Sequence, residues 1–389
     1  MQDQRVIVIG AGPAGLASAA ALGRRGVPAL VLDRAATVAS SWRGRYDRLK
    51  LNSSRPFSKL PGARFPHGTD MFPRRDDMVR YFERYAHDRR VDVQHGTEVE
   101  RIDRDGADLV VRTSEGDIRA SHVVVATGYS HSPYTPHWPG RDSFSGRLLH
   151  SSEYRNADDL RGADVLVAGS GCSGMEIAYD IATGGAGRVR VAVRTAPNIL
   201  LRAPAGPAIA LVLSKLPPGI GDRMTRVARQ REIGDLSAYG LPIPDEGVFS
   251  RLRRLGVAPA IVDEETIEAI RDGRIEIVPG IRSFDETGVE LDDDTRVEPD
   301  TVIAATGYRT GLEPLVGHLG VLGERGVPSV TDGRPAAPGL RFVGFVPRPA
   351  QLGTLGPEAR RAARGIAGEL RGSRAAAWRR QRAPSPSPA

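Results

Sequence analysis

RVIVIGAGPAGLASAAAL, residues 5–22, decides the fold. Arg5 to Ile9 is a continuous apolar run that reads as a strand. A glycine turn follows, then an alanine-rich stretch from Ala14 to Leu22 that reads as a helix, then a second apolar run from Ala29 to Leu32. Strand, turn, helix and strand in that order make a βαβ unit. In Gly10-Ala11-Gly12-Pro13-Ala14-Gly15, Gly10 permits the tight turn and Gly12 lets backbone approach a pyrophosphate. Gly15 lets the helix lie close to the sheet. The helix N-terminus then offers free amide donors to phosphate charge. Asp33, at the end of the second strand, is placed to accept hydrogen bonds from ribose hydroxyls, the alternative being a residue that merely starts the next turn. We assign this loop to FAD, and Arg34, Ser41 and Trp42 just beyond it to the same site. Trp42, Arg43 and Tyr46 either wrap the isoalloxazine or simply pack.

The same order recurs at Asp164 to Ala168, Gly169-Ser170-Gly171-Cys172-Ser173-Gly174, Met175 to Ala182 and Val189 to Val193. Here the second strand ends in Arg194 and Thr195, where a site for NADH would offer a carboxylate. A guanidinium suits a 2′-phosphate by its charge and its paired donors, so the expected ligand is NADPH. Two more apolar runs, HVVVATGY at 122–129 and TVIAATGY at 301–308, end in the same tetrapeptide and read as crossovers between two domains. Thr127, Gly128, Thr306, Gly307 and Tyr308 are accordingly expected beside the cofactors. The predicted fold is α/β, with two Rossmann-like dinucleotide-binding domains, the NADPH domain inserted into the FAD domain. Residues 1–150 and 309–372 form the FAD domain and 151–308 the NADPH domain. The Arg/Ser/Pro-rich tail, 373–389, is expected to be disordered.

Composition narrows the function. The 389 residues carry a formal net charge of +7, but arginines are scattered and the only lysines are Lys50, Lys59 and Lys215, so no basic stripe marks a nucleic-acid partner. The single cysteine, Cys172, forms no internal disulfide and no Cys-x-x-Cys pair, which excludes disulfide reductase chemistry. It reads as a space-filling residue of the loop. The histidines show no metal-ligand spacing, so no metal is expected. The N-terminus enters a strand at once, and the longest apolar stretch, Ala203 to Ser214, is too short to cross a bilayer. We therefore expect a cytoplasmic protein with no integral membrane segment. Its oligomeric state is open, a homodimer being one arrangement. The apolar run Pro207 to Leu216 is either a substrate entrance or a buried helix.

Between the loops, Phe144 to Tyr154 reads FSGRLLHSSEY and fits F-x-G-x-x-x-H-x-x-x-Y. This resembles the fingerprint of the class B flavin-containing monooxygenases. YDRLKL at 46–51, VAGSGCSGMEIA at 167–178, VPGI at 278–281, ATGY at 305–308 and VGF at 343–345 resemble the YUCCA-like branch, the indole-3-pyruvate monooxygenases. The resemblance implies reduction of FAD by NADPH, reaction with dioxygen to a C4a-peroxyflavin and oxygen transfer to a small organic substrate. In the YUCCA branch that transfer is the oxidative decarboxylation of an aryl 2-oxo acid. The segment Asn52-Ser53-Ser54-Arg55 is closer to the relatives that oxygenate nitrogen or sulfur, so N- or S-oxygenation stays open, as does an NADPH oxidase or reductase without oxygenated product. Leu51 and Asn52 are expected at the flavin. Asn52 is the candidate catalytic residue, because an amide offers donor and acceptor without consuming a proton; the alternative is a turn residue before Ser53. His150 is expected to brace the turn between the domains and not to act as a base.

Overall fold

The structure, a computed structural model, describes residues 2–3, 6–345 and 350–381. Two parallel sheets carry the two glycine loops. The first has the strand order 332–337, 340–343, 122–125, 6–9, 30–32 and 92–94, parallel except for Asp332–Ala337 at one edge. The second has the order 147–150, 301–304, 164–168, 188–193 and 276–279, parallel throughout. Val6–Ile9 and Thr301–Ala304 are buried at every position, as strands covered on both faces must be, which is why they read as unbroken apolar runs.

The sheets share a plan. In each, the strand that feeds a glycine loop lies between the strand after the loop helix and the strand that ends in Ala-Thr-Gly-Tyr. A smaller sheet accompanies each: for the first, Val99–Asp105, Asp108–Thr113 and Ile118–Ala120 pair antiparallel, with Gln2–Asp3 added in parallel beside Ile118–Ala120; for the second, Ile281–Phe284, Val289–Leu291 and Arg296–Val297 pair antiparallel.

The loop helices run Pro13–Gly23 and Cys172–Thr183, beginning one and three residues earlier than the apolar pattern shows, because their first turns belong to the glycine loops. Conversely, the crossover strands stop at Val125 and Ala304, short of the expected 129 and 308. The Ala-Thr-Gly that follows turns away, with Gly128 and Gly307 at φ of 84° and 87°.

Helix Pro13–Gly23 shares one core with the long helix Gln351–Gln381, in which Ala17, Ala20 and Ala21 join Ala359, Ala362, Ala363 and Ile366. Small side chains on both helices allow a close approach. That long helix corrects the expectation for the tail: residues 373–381 continue it, since Arg and Ala are strong helix formers, while 382–389 lie outside the described residues. The first residue of the FVPRPAQLG segment, Phe345, is buried, whereas 346–349 are also outside. Gly206–Leu213 is a helix that leaves Ile209 and Val212 exposed, so it is not a buried helix. Among the described residues, no helix is long and apolar enough to cross a membrane.

Candidate functional site: two glycine loops and the cluster between them

Both loops are shaped by the same three contacts. Gly10 has φ of 102°, and a Cβ there would sit 2.9 Å from the carbonyl oxygen of Ala126. Gly169 has φ of 118°, with the oxygen of Ala305 at 2.6 Å. A Cβ on Gly15 would meet the Gly10 carbonyl oxygen at 1.8 Å, and one on Gly174 the Gly169 oxygen at 1.9 Å. The middle glycines, Gly12 and Gly171, have open space beyond them. They cap their helices at φ/ψ of −79°/−178° and −76°/−178°, without a side-chain hydrogen bond. Each loop therefore presents free helical amides to an open cradle, as a pyrophosphate requires. Pro13 occupies the first turn, where its missing N–H costs nothing. The small side chains of Ala14, Ser170 and Ser173 complete the two walls, and a Cβ on Gly344 of the VGF segment would fall 2.7 Å from that of Ala14.

The surroundings of the loops differ. Asp33 accepts hydrogen bonds from the Ala11 amide at 2.6 Å and the Ala35 amide at 2.8 Å. Its carboxylate thus ties the strand end to the first loop as well as starting the turn. Arg34 pairs at 3.6 Å with Glu98, both exposed. Ser41 is exposed, and Trp42 packs edge-on against Phe82 with ring centroids 5.5 Å apart, the packing alternative for that residue. Leu51 is buried in the same core. At the second loop, Arg194 and Thr195 are exposed, and Arg194 has no ion pair among the described residues. Thr127 Oγ1 is buried without a hydrogen-bond partner among the described residues, whereas Thr306 Oγ1 donates to the Tyr134 carbonyl at 2.5 Å. Burial pushes the Cys172 thiol pKa up, which disfavours the thiolate, and the Ile261 amide donates to its sulfur at 3.3 Å.

The fingerprint residues hold the halves together. Phe144 packs on Phe284, and Gly146 lies under the Phe144 ring. Tyr154 donates to Asp180 at 2.7 Å. His150 bonds Ser152 Oγ at 2.8 Å and, through Nε2, the Gly307 carbonyl at 3.0 Å, with its ring edge-on to Tyr308. Burial lowers its pKa, and both ring nitrogens are occupied. That makes it a brace rather than a base. Tyr308 also accepts a hydrogen bond from Arg45, and Tyr308–Arg309 forms a two-residue antiparallel ladder with Ser132–Pro133. The two Ala-Thr-Gly-Tyr segments are thereby joined next to both loops. Arg309 stacks over Tyr134 at 4.0 Å.

Asn52 is exposed and stands beside Arg202. Its Oδ1 accepts from Arg202 at 3.2 Å. Arg202, with a side chain only 2% exposed, also binds the carboxylates of Glu176 and Asp263. Tyr46 donates to Glu176 at 2.5 Å, and Lys50 lies 3.5 Å from Asp263. Burial raises the Glu176 pKa, and the Arg202 guanidinium opposes that shift. Arg202 and Glu176 do not stand out in the sequence. The one signal is Glu176 itself, a carboxylate among Met175, Ile177 and Ala178 on the apolar side of a helix.

Comparison with known proteins places this geometry. The family model described as pyridine nucleotide-disulphide oxidoreductase matches residues 7–203, just over half of the chain. The indole-3-pyruvate monooxygenase YUCCA1 of Oryza sativa subsp. japonica is 36% identical over 362 residues, covering 90% of this chain and 88% of that one. A flavin monooxygenase from Stenotrophomonas maltophilia superposes with a TM-score of 0.74 at 24% identity, over 95% of this chain and all of that one. OTEMO in complex with FAD and NADP gives 0.75 at 17% identity, over 95% and 85%. Those two likenesses concern the fold; the relationship rests on the rice protein. The sequence and its two glycine cradles show that the chain belongs to the flavin-dependent monooxygenases, in the family of the YUCCA indole-3-pyruvate monooxygenases.

Proposed function

We propose that the protein holds FAD in the Gly10–Gly15 cradle and NADPH in the Gly169–Gly174 cradle, and uses them to oxygenate a small organic substrate with dioxygen. The substrate class we favour is an aryl 2-oxo acid such as indole-3-pyruvate, converted by oxidative decarboxylation. The observation that carries this reading is the pair of open cradles in a chain 36% identical to a YUCCA enzyme over 90% of its length. On this reading residues 1–150 and 309–372 form the FAD unit and 151–308 the NADPH unit, in a cytoplasmic enzyme, except that the strand Arg147–His150 goes with the NADPH unit because it pairs in the second sheet.

FAD supplies the reaction with dioxygen and NADPH the hydride. The chain's own residues bind and orient. The amides at the N-termini of helices Pro13–Gly23 and Cys172–Thr183 take the pyrophosphates. Asp33 keeps lone pairs for ribose hydroxyls while holding Ala11, and the unpartnered Thr127 hydroxyl is available to the flavin side. Arg194 faces solvent at the strand end, ready for a 2′-phosphate. Asn52, with its oxygen held by Arg202, offers the rest of its amide to the reacting region.

The reaction consumes one 2-oxo acid, one dioxygen, one NADPH and one proton. It yields the shortened acid, carbon dioxide, water and NADP⁺. Turnover under ¹⁸O-dioxygen, followed by mass spectrometry, should place one labelled atom in the new carboxylate. Label appearing instead on an amine or sulfide would establish the N- or S-oxygenase reading, which the Asn52-Ser53-Ser54 segment favours. NADPH consumption with all the oxygen recovered as peroxide, whatever the substrate, would refute both.

A further inference from the structure

Asn52 is held from one side by a group that has no acceptor. A guanidinium carries five N–H donors and nothing else, so the part of the amide facing Arg202 must be its oxygen. The NH2 group then points away from Arg202. In an isolated exposed asparagine the two orientations differ little in energy. Here the partner removes the choice.

Arg202 is itself fixed. It follows the strand Ile199–Leu201, which pairs in parallel with Ala260–Val262, and this register brings Arg202 level with Asp263. Its NH1 binds Asp263, and its NH2 is shared by Glu176 and Asn52, which leaves Nε as the one nitrogen without a partner among the described residues. Two carboxylates, one guanidinium and the Lys50 ammonium make the cluster neutral. Tyr46 closes it by donating to Glu176. Glu176 lies one turn into the second loop helix, while Tyr46 and Asn52 belong to the segment that leads away from the first loop. The cluster therefore ties the orientation of one amide to the position of the second cradle.

We infer that Arg202 is a positioning residue: it sets which way the Asn52 amide faces, so that the oxygen is held toward the guanidinium and the NH2 group is turned to the open side. The inference rests on the proposed role of Asn52. An arginine that served only to neutralise Glu176 and Asp263 would hold the fold equally well with Asn52 free to flip.

The chain contains three asparagines, Asn52, Asn156 and Asn198, so selective ¹⁵N-asparagine labelling yields three side-chain NH2 signals, and Asn52→Ala identifies one of them. In Arg202→Gln, whose amide is both donor and acceptor, the Asn52 signal should move or broaden while the other two stay in place. Arg202→Lys, which keeps the charge but loses the fork, should move it less. It also carries the test if Arg202→Gln does not fold. In turnover, Arg202→Gln should divert NADPH to peroxide about as far as Asn52→Ala does, and the double variant no further than either alone. An unmoved Asn52 signal in a folded Arg202 variant, or additive diversion in the double variant, overturns the inference. Should Asn52→Ala leave coupling intact while the signal still moves, the role of Asn52 falls and the positioning by Arg202 stands.

Discussion

At the first glycine loop a carboxylate closes the strand end and reaches back to the loop; at the second a guanidinium stands there, exposed and without an ion pair among the described residues. The backbone of the two cradles is otherwise the same to within a few degrees at Gly12 and Gly171. Discrimination between two dinucleotides therefore lies in side chains at the strand ends and in the Ala-Thr-Gly turns behind the loops, not in the cradle. The phosphate site is a property of chain geometry that can be repeated. What differs is the charge placed about one strand length away.

The largest break in this comparison comes from the glycines that touch backbone. Gly15→Ala and Gly174→Ala each drive a Cβ into a carbonyl oxygen, an overlap costing about 3 kcal/mol or more. Gly15→Ala should yield colourless protein by flavin absorbance. Gly174→Ala should stay yellow while its NADPH titration fails. If both lose flavin alike, the loops do not have separate tasks.

Arg194→Ala sharpens the contrast. Loss of charge-assisted bonds to a 2′-phosphate, roughly 1.5–3 kcal/mol, should weaken NADPH about 10- to 100-fold and leave NADH unchanged, measured as flavin reduction in stopped flow. Equal weakening of both coenzymes would remove Arg194 from that role.

A smaller effect is expected at the brace between the halves. Burial lowers the His150 pKa, so the unfolded chain binds the proton more readily than the folded one. The contribution of His150 to stability is therefore full above its unfolded pKa of about 6.5 and is lost as pH falls through the lower folded value. Thermal melts of the wild type should drop below that pH, and His150→Gln should flatten the drop.

The smallest difference separates two threonines in equivalent turns. Thr306→Val removes the bond to the Tyr134 carbonyl and should destabilise by about 1 kcal/mol. Thr127→Val removes a hydroxyl with no partner, and should leave the melting of flavin-free protein unchanged while weakening FAD. Equal destabilisation by both substitutions would erase the distinction.

The sequence made the two βαβ units legible because the contact of Gly15 with Gly10, and of Gly174 with Gly169, is local and encoded by fixed spacing. Gly10 and Gly169 also answer to the carbonyls of Ala126 and Ala305, which come from a distant part of the chain. Asp33 was legible in position but not in its bond to Ala11, which depends on how the loop folds back. Trp42 could not be assigned for the same reason, since its partner Phe82 lies forty residues on. Arg202 was invisible: it is one arginine among many in an Arg-rich chain, and only the pairing of two short strands brings it to Asp263. The helix to Gln381 was hidden by composition, because arginine and alanine without apolar periodicity read as low complexity.

The two sheets also differ in when the growing chain can complete them. All five strands of the second lie between Arg147 and Ala304, so that sheet is fully encoded in one continuous stretch. The first begins with Val6 yet needs Leu340–Val343 to flank His122–Val125, and the helix beginning at Gln351 to cover helix Pro13–Gly23. Topology thus reverses the order of synthesis: the half that leaves the ribosome first is the half that must wait, its alanine-lined helix uncovered until the helix beginning at Gln351 arrives.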